Sequence, residues 1–315
     1  MACEVESGLE RYRPAEERPD RASGATGGTQ GSGGAVLDPG ELGGGPPRVV
    51  PKSLSTRDLS SLLPTGAKLV GVSRAADTGA LYVLDEELGI FLIEDGAAEH
   101  VFDAQDLEAL TSVTGTAVQP ASPFTDFAAL GNNRFALTAK NEGFLLDLRI
   151  HRFDLHFCYL PPIDDPGSSN SISVGLTLDG IAHHQLTTAL AYNPSQNLLY
   201  AQPQSIDDET GEVYGSEVGL FDATTGDPVR WLDLGDPSFL AGGAAAAEGS
   251  DILYLAAGTT LYTFDPGAGL TPRGDLSELG AGEISGLAWD RAKLELVAVE
   301  RDRPVLHRIE LADAP

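Results

Sequence analysis

Residues 188–201 read TALAYNPSQNLLYA, and residues 285–300 read SGLAWDRAKLELVAVE. The two align without a gap. Leu190-Ala191-Tyr192-Asn193 falls on Leu287-Ala288-Trp289-Asp290, and Leu199-Tyr200-Ala201 falls on Leu296-Val297-Ala298. Each stretch is two short apolar runs joined by a polar turn, the pattern of an antiparallel hairpin. They stand about 97 residues apart, two units of about 48. A third copy between them ends in Ile252-Leu253-Tyr254-Leu255. A fourth reads Phe127-Ala128-Ala129-Leu130 and then Arg134-Phe135-Ala136-Leu137. A fifth reads Leu69-Val70-Gly71-Val72 and then Leu81-Tyr82-Val83-Leu84.

A third run follows each hairpin and often closes on Asp and Gly, as in Leu220-Phe221-Asp222 and Leu261-Tyr262-Thr263-Phe264-Asp265. A short fourth run completes the unit, as in His100-Val101-Phe102 and Val229-Arg230-Trp231-Leu232. Four antiparallel strands repeated every 40–60 residues or so predict an all-β chain and a single β-propeller, whose sheets bury both faces against neighbouring blades. Five blades are expected, with six the alternative if Ser171–Leu178 forms a hairpin of its own. The last copy has only three runs. The segment around Arg48-Val49-Val50-Pro51 has no blade, so it is expected to supply the missing outer strand and close the ring.

The phrases TALAYNPSQNLLYA, SGLAWDRAKLELVAVE and LYTFDPGAG (261–269) resemble the blade repeats of bacterial YVTN/NHL-type propellers, over roughly residues 65–311. That class also takes in gluconolactonase-like enzymes. The resemblance implies a propeller that is more often a binding or scaffold module than a metal-dependent hydrolase, and the repeat itself carries no chemistry.

The chain has 315 residues with 20 basic and 47 acidic side chains, a formal charge of −27. Such a balance argues against nucleic acid or an anionic membrane as partner, since both need Lys and Arg to neutralise them. Two cysteines, Cys3 and Cys158, cannot build a disulfide framework. Residues 1–47 are rich in Gly, Pro and Ser and read as a flexible tether, leaving 48–315 for the propeller. Ala2-Cys3 at its head resembles the lipidation site of a bacterial lipoprotein. That predicts an extracytoplasmic protein held to a membrane only through a lipid on Cys3, against a cytoplasmic alternative.

Strand order sorts the connections by face. The first-to-second turns, such as Ala75–Gly79 and Asn193–Asn197, are short. The connections on the opposite face include the long segments Ala104–Pro123, Pro161–Gln185 and Pro203–Glu217. Long loops tend to carry function, so the binding site is expected on that face. Its candidates are Asp164, Asp165, His183, His184, Asp207, Asp208 and Glu209. Clustered carboxylates suit Ca²⁺, but Asp207–Glu217 lacks the ligand spacing of a calcium loop. His183 or His184 could join a divalent site with a residue such as Asp126. No cofactor is therefore expected, with Ca²⁺ or another divalent metal as the alternative.

No nucleophile elbow, phosphate-binding Gly loop, His-Glu-x-x-His or Cys-x-x-Cys is present. Cys158, within Phe157-Cys158-Tyr159-Leu160, reads as a small buried hydrophobe. The leading expectation is a non-catalytic binding or scaffold propeller that engages a protein or glycan. The alternatives are a metal-dependent hydrolase resembling gluconolactonases, and a cytosolic propeller subunit of a complex.

Overall fold

The strands lie where the alternating runs place them. In the computed structural model, residues 49–103, 124–139, 142–147, 152–157, 176–178, 181–207, 213–214, 217–224, 228–236 and 238–313 are described. Contacts separate Met1–Gly45 from Pro46–Pro315, and all described residues belong to the second unit. The regular elements among these residues are all strands apart from one short 3-10 helix at Leu276–Leu279.

The first sheet takes β2 (Leu69–Arg74), β3 (Leu81–Asp85), β4 (Gly89–Glu94) and β5 (Ala97–Asp103) in sequence order. The second takes β6 (Phe124–Gly131), β7 (Arg134–Ala139), β8 (Glu142–Asp147) and β9 (Arg152–Phe157). The third holds β10 (Leu176–Leu178), β11 (Ile181–Asn193), β12 (Leu198–Asp207), β14 (Glu217–Asp222) and β15 (Pro228–Asp233), with the two-residue β13 (Val213–Tyr214) paired to β12. The fourth takes β16 (Gly243–Ala246), β17 (Leu253–Ala257), β18 (Thr260–Asp265) and β19 (Gly269–Asp275). In the last, β20 (Ile284–Asp290), β21 (Glu295–Glu300) and β22 (Val305–Asp313) are joined at the outer edge by β1 (Val49–Asp58).

The arrangement is a β-propeller. Its innermost strands touch in a closed circuit: β2 with β6, β6 with β11, β11 with β16, β16 with β20, and β20 again with β2. Four sheets have four strands and the third has six. β1 pairs antiparallel with β22 from Val49 opposite Asp313 to Asp58 opposite Val305, so the strand expected to close the ring does so. The described part of the segment Ser171–Leu178 does not start a sixth blade. That part, β10, pairs with β11 and widens the third sheet.

The recurring Asp or Asn at run ends has a local cause. Asp85, Asn193, Asp222, Asp265 and Asp290 each accept a hydrogen bond from a backbone N–H two residues on. Their side chains thereby build the turns that reverse the chain.

Apolar clusters fill the gaps between sheets. One joins Val70, Tyr82 and Ile90 of the first sheet to Phe124, Phe127 and Phe135 of the second. Another joins Val72, Val83 and Phe91 to Ala288, Val297 and Leu306 across the closure. No sheet is buried by itself, so the propeller is stable as a ring or not at all.

Inner strands pack very close. A β-carbon on Gly243 would stand 2.6 Å from Gly286 Cα, and one on Gly286 would stand 2.7 Å from Gly71 Cα. One on Gly71 would stand 2.6 Å from Asp126 Oδ1. These positions are equivalent in successive inner strands, and each faces the next. At the fourth such step a carboxylate replaces the glycine. Asp126 is 1% exposed and accepts from Leu190 N at 2.7 Å and from Phe127 N at 2.8 Å, bridging β6 to β11.

Candidate functional site

The ring presents a cavity on each face, and the inner strands of all the sheets line the one on the short-turn face. On the short-turn face the cavity is about 490 Å³. Its floor is small because equivalent inner-strand positions carry Ser73, Ala128, Ala191, Ala245 and Ala288. Its rim is charged. Arg74 Nη2 bonds Asp290 at 2.7 Å and Arg74 Nη1 donates to Gly79 O at 2.6 Å. Arg308 Nη1 lies 3.5 Å from the same Asp290 carboxylate and 2.5 Å from Glu295. Arg291 meets Glu248 at 2.5 Å between the last two sheets. Burial pushes the pKa of the Arg74 guanidinium down, and the Asp290 charge opposes it. Arg74 Nε is buried and has no hydrogen-bond partner among the described residues. Asp77 accepts from Asn132 N at 2.7 Å, which ties the first two turns together. The rim charges therefore largely satisfy one another and hold the mouth in a fixed shape.

On the opposite face a cavity of about 580 Å³ lies between the last sheet and the first. Its lining comes from the β1–β2 connection (Ser60, Thr65, Lys68), from Glu86, and from Arg301 and Asp302. Lys68 Nζ stands 3.6 Å from Glu86. This is the face on which the long connections begin and end.

The residues singled out from the sequence fall as follows. Asp164, Asp165, Asp208, Glu209, Cys3 and Cys158 lie outside the described residues, as does the segment 104–123. His183, His184 and Asp207 were expected in loops, but they sit in paired strands, His183 and His184 in β11 and Asp207 at the end of β12. The register sets His183 opposite Asp207 on one side and opposite Leu176 on the other, and sets His184 opposite Ile206. The runs Ile181–Thr187 and Pro203–Asp207 are thus a hairpin extension of the third sheet. The polar His-His-Gln and the Pro203 break hid its alternation.

Asp126, weighed as a metal ligand, has an oxygen engaged by each of two backbone N–H groups, and burial pushes its carboxyl well above the ordinary carboxylate range. It reads as an interblade bridge. Among the described residues no group of three His, Cys, Asp or Glu side chains is arranged to hold a metal. None of their helices is long and apolar enough to cross a membrane. The charged rim at Arg74, Glu248, Asp290 and Arg291 was missed from the sequence. Its one signal is that these residues end inner strands or begin the turns that follow.

No family model matches the chain, and no curated protein matches it in sequence. Among solved structures it is similar to a chain in a crystal structure of the mitotic checkpoint complex, at 9% identity and a TM-score of 0.41, covering 94% of this chain and 100% of that one. It is also similar to Myxococcus xanthus glutaminyl cyclase, at 11% identity and a TM-score of 0.48, covering 85% of this chain and 97% of that one. The propeller assignment rests on the sheet order and closed circuit described above.

Proposed function

We propose that this protein is a binding or scaffold propeller whose long-connection face engages a protein or glycan. The observation that carries the reading is the enlarged third sheet. There β11 and β12 run to 13 and 10 residues and take on β10 and β13, whereas the inner strands β2, β6, β16 and β20 have 4–8. A rigid ring with one extended hairpin suits recognition by projecting elements. The acidic chain favours a neutral or basic partner over an anionic one. Removing residues 163–178 spares β11, and so spares the inner circuit. The expected result is an unchanged melting temperature with loss of binding on glycan arrays or in crosslinking to a partner. Binding that survives the deletion would overturn the assignment of the face.

The proposal extends to the N-terminus. Cys3 would carry a lipid and residues 1–47 would act as a leash that holds the propeller outside the cytoplasm. Labelled palmitate should enter the full chain expressed in a bacterium with its leader supplied, and Cys3→Ser should abolish it. Equal labelling of the variant would dismiss the anchor.

A metal-dependent hydrolase is the second reading. One observation favours it, the pairing of His183 with Asp207 across β11 and β12. Elemental analysis of mildly purified protein decides it. One tightly held divalent ion per chain, lost in His183→Ala, would support a metal site. Metal below a tenth of stoichiometry would dismiss it.

A further inference from the structure

The closing strand carries an arrangement that the binding reading does not use. Thr56 on β1 is exposed, and its register partner on β22 is His307, which is 1% exposed. Thr56 Oγ1 lies 2.9 Å from His307 Nδ1. His307 Nε2 lies 2.7 Å from Glu300 Oε1. Glu300 is itself 1% exposed and accepts from Arg303 Nε at 2.5 Å, Arg303 Nη2 at 2.6 Å and Gly282 N at 2.6 Å.

Roles follow from the donors and acceptors. Burial works to push the Glu300 pKa up, but Arg303, the Gly282 N–H and His307 together hold it below the ordinary carboxylate value. The carboxylate then only accepts, so His307 Nε2 carries the proton. In the neutral imidazole that leaves Nδ1 with its lone pair, and the Thr56 hydroxyl donates to it. A hydroxyl carried by an exposed residue and aimed at an imidazole, oriented in turn by a fixed carboxylate, is the arrangement that activates a nucleophile.

Strand attachment does not require this relay. β1 is already paired with β22 from end to end, apart from a register shift between Pro51 and Ser53. A buried ionic cluster commonly adds little stability over apolar packing of the same volume, so its presence at this seam points to chemistry.

We propose that Thr56 is a base-activated nucleophile that accepts an acyl group from an activated carboxylic ester, with His307 as its base and Glu300 holding the imidazole in place. Thr56 Oγ1 bonds to the ester carbonyl carbon as the bond from that carbon to the leaving oxygen breaks. The hydroxyl proton passes to His307 Nδ1 and then to the leaving alkoxide or phenolate. The products are an acylated Thr56 and one alcohol.

The test incubates the full chain with p-nitrophenyl acetate, follows p-nitrophenolate release, and maps acetylation by peptide mass spectrometry. One acetyl on Thr56 is expected. Thr56→Val should lose that acetyl and Thr56→Ser should keep it. His307→Gln should slow acetylation on the order of 10²-fold, the scale of a lost general base. Melting curves run in parallel separate loss of reactivity from loss of fold, and the isosteric Thr56→Val keeps the test decisive if His307→Gln does not fold. Acetyl groups confined to lysines, or phenolate release equal in Thr56→Val and the parent, would overturn the proposal and leave the relay as a brace.

Discussion

Single atoms decide how near the blades approach. Gly286 has no side chain because a β-carbon there would press on Gly71 Cα and Val72 N, both 2.7 Å away and both backbone. Backbone cannot swing aside, so Gly286→Ala should cost about 1–3 kcal/mol, read as a lower urea midpoint with an unchanged slope. Asp126 fills the equivalent place between β6 and β11. Its carboxyl is raised by burial, so the folded chain keeps that proton to a higher pH than the unfolded chain does. Stability from this group is then complete at low pH and falls as pH rises through the raised value. Asp126→Asn should flatten that decline in a series of melting temperatures, and an unchanged slope would show that Asp126 does not titrate there. Leu294 is a third case. It is 65% exposed and sits at φ +56. The corresponding turn in the third sheet has Asn197 at φ 55. Leu294→Asn should therefore stabilise by about 1 kcal/mol by relieving left-handed strain, and a lower melting temperature would count against that strain.

At the scale of elements, legibility followed alternation. The hairpins at Leu190 and Leu287 are written as apolar runs broken by Asn-Pro-Ser or Asp-Arg-Ala, and the side chains that shape those turns are local. β1 was legible by subtraction, because the final copy lacked a strand. The extension of β11 was not legible, because His183-His184-Gln185 carries no apolar alternation and its pairing is decided by β12. The Thr56–His307–Glu300 relay was equally hidden, since Thr56 and His307 are 251 residues apart in sequence and meet only when the ring closes. The same holds for the Arg74–Asp290 pair at the axial rim. Elements that close on distant partners should also be the most consequential to lose. Removing Pro46–Asp58 would bare the β22 edge and uncover Leu306 and Ile309, both at most 2% exposed. The shortened chain should bind a dye for exposed apolar surface and self-associate in sedimentation. A monomeric, fully folded product would contradict the closing role of β1.

At the scale of the whole molecule, the described residues form a set of sheets, each buried by its neighbours, whose polar links run around the circuit. Ser73 accepts from Ala129 N, Asp126 from Leu190 N, Asn193 donates to Ser250 O, Arg291 meets Glu248, and Ser285 donates to Leu69 O. Ring closure makes those links cooperative, because opening one gap exposes both of its faces. It also fixes the two cavities and brings Thr56 over His307. The most direct measurement is native-state hydrogen exchange read along β1. Closure predicts that the β1 amides bonded to β22, which lie on alternate residues of this edge strand, exchange slowly and together with those of β20, β21 and β22, with one shared opening free energy. Bonded amides of β1 that exchange at once while Leu69–Asp313 stays protected would contradict it.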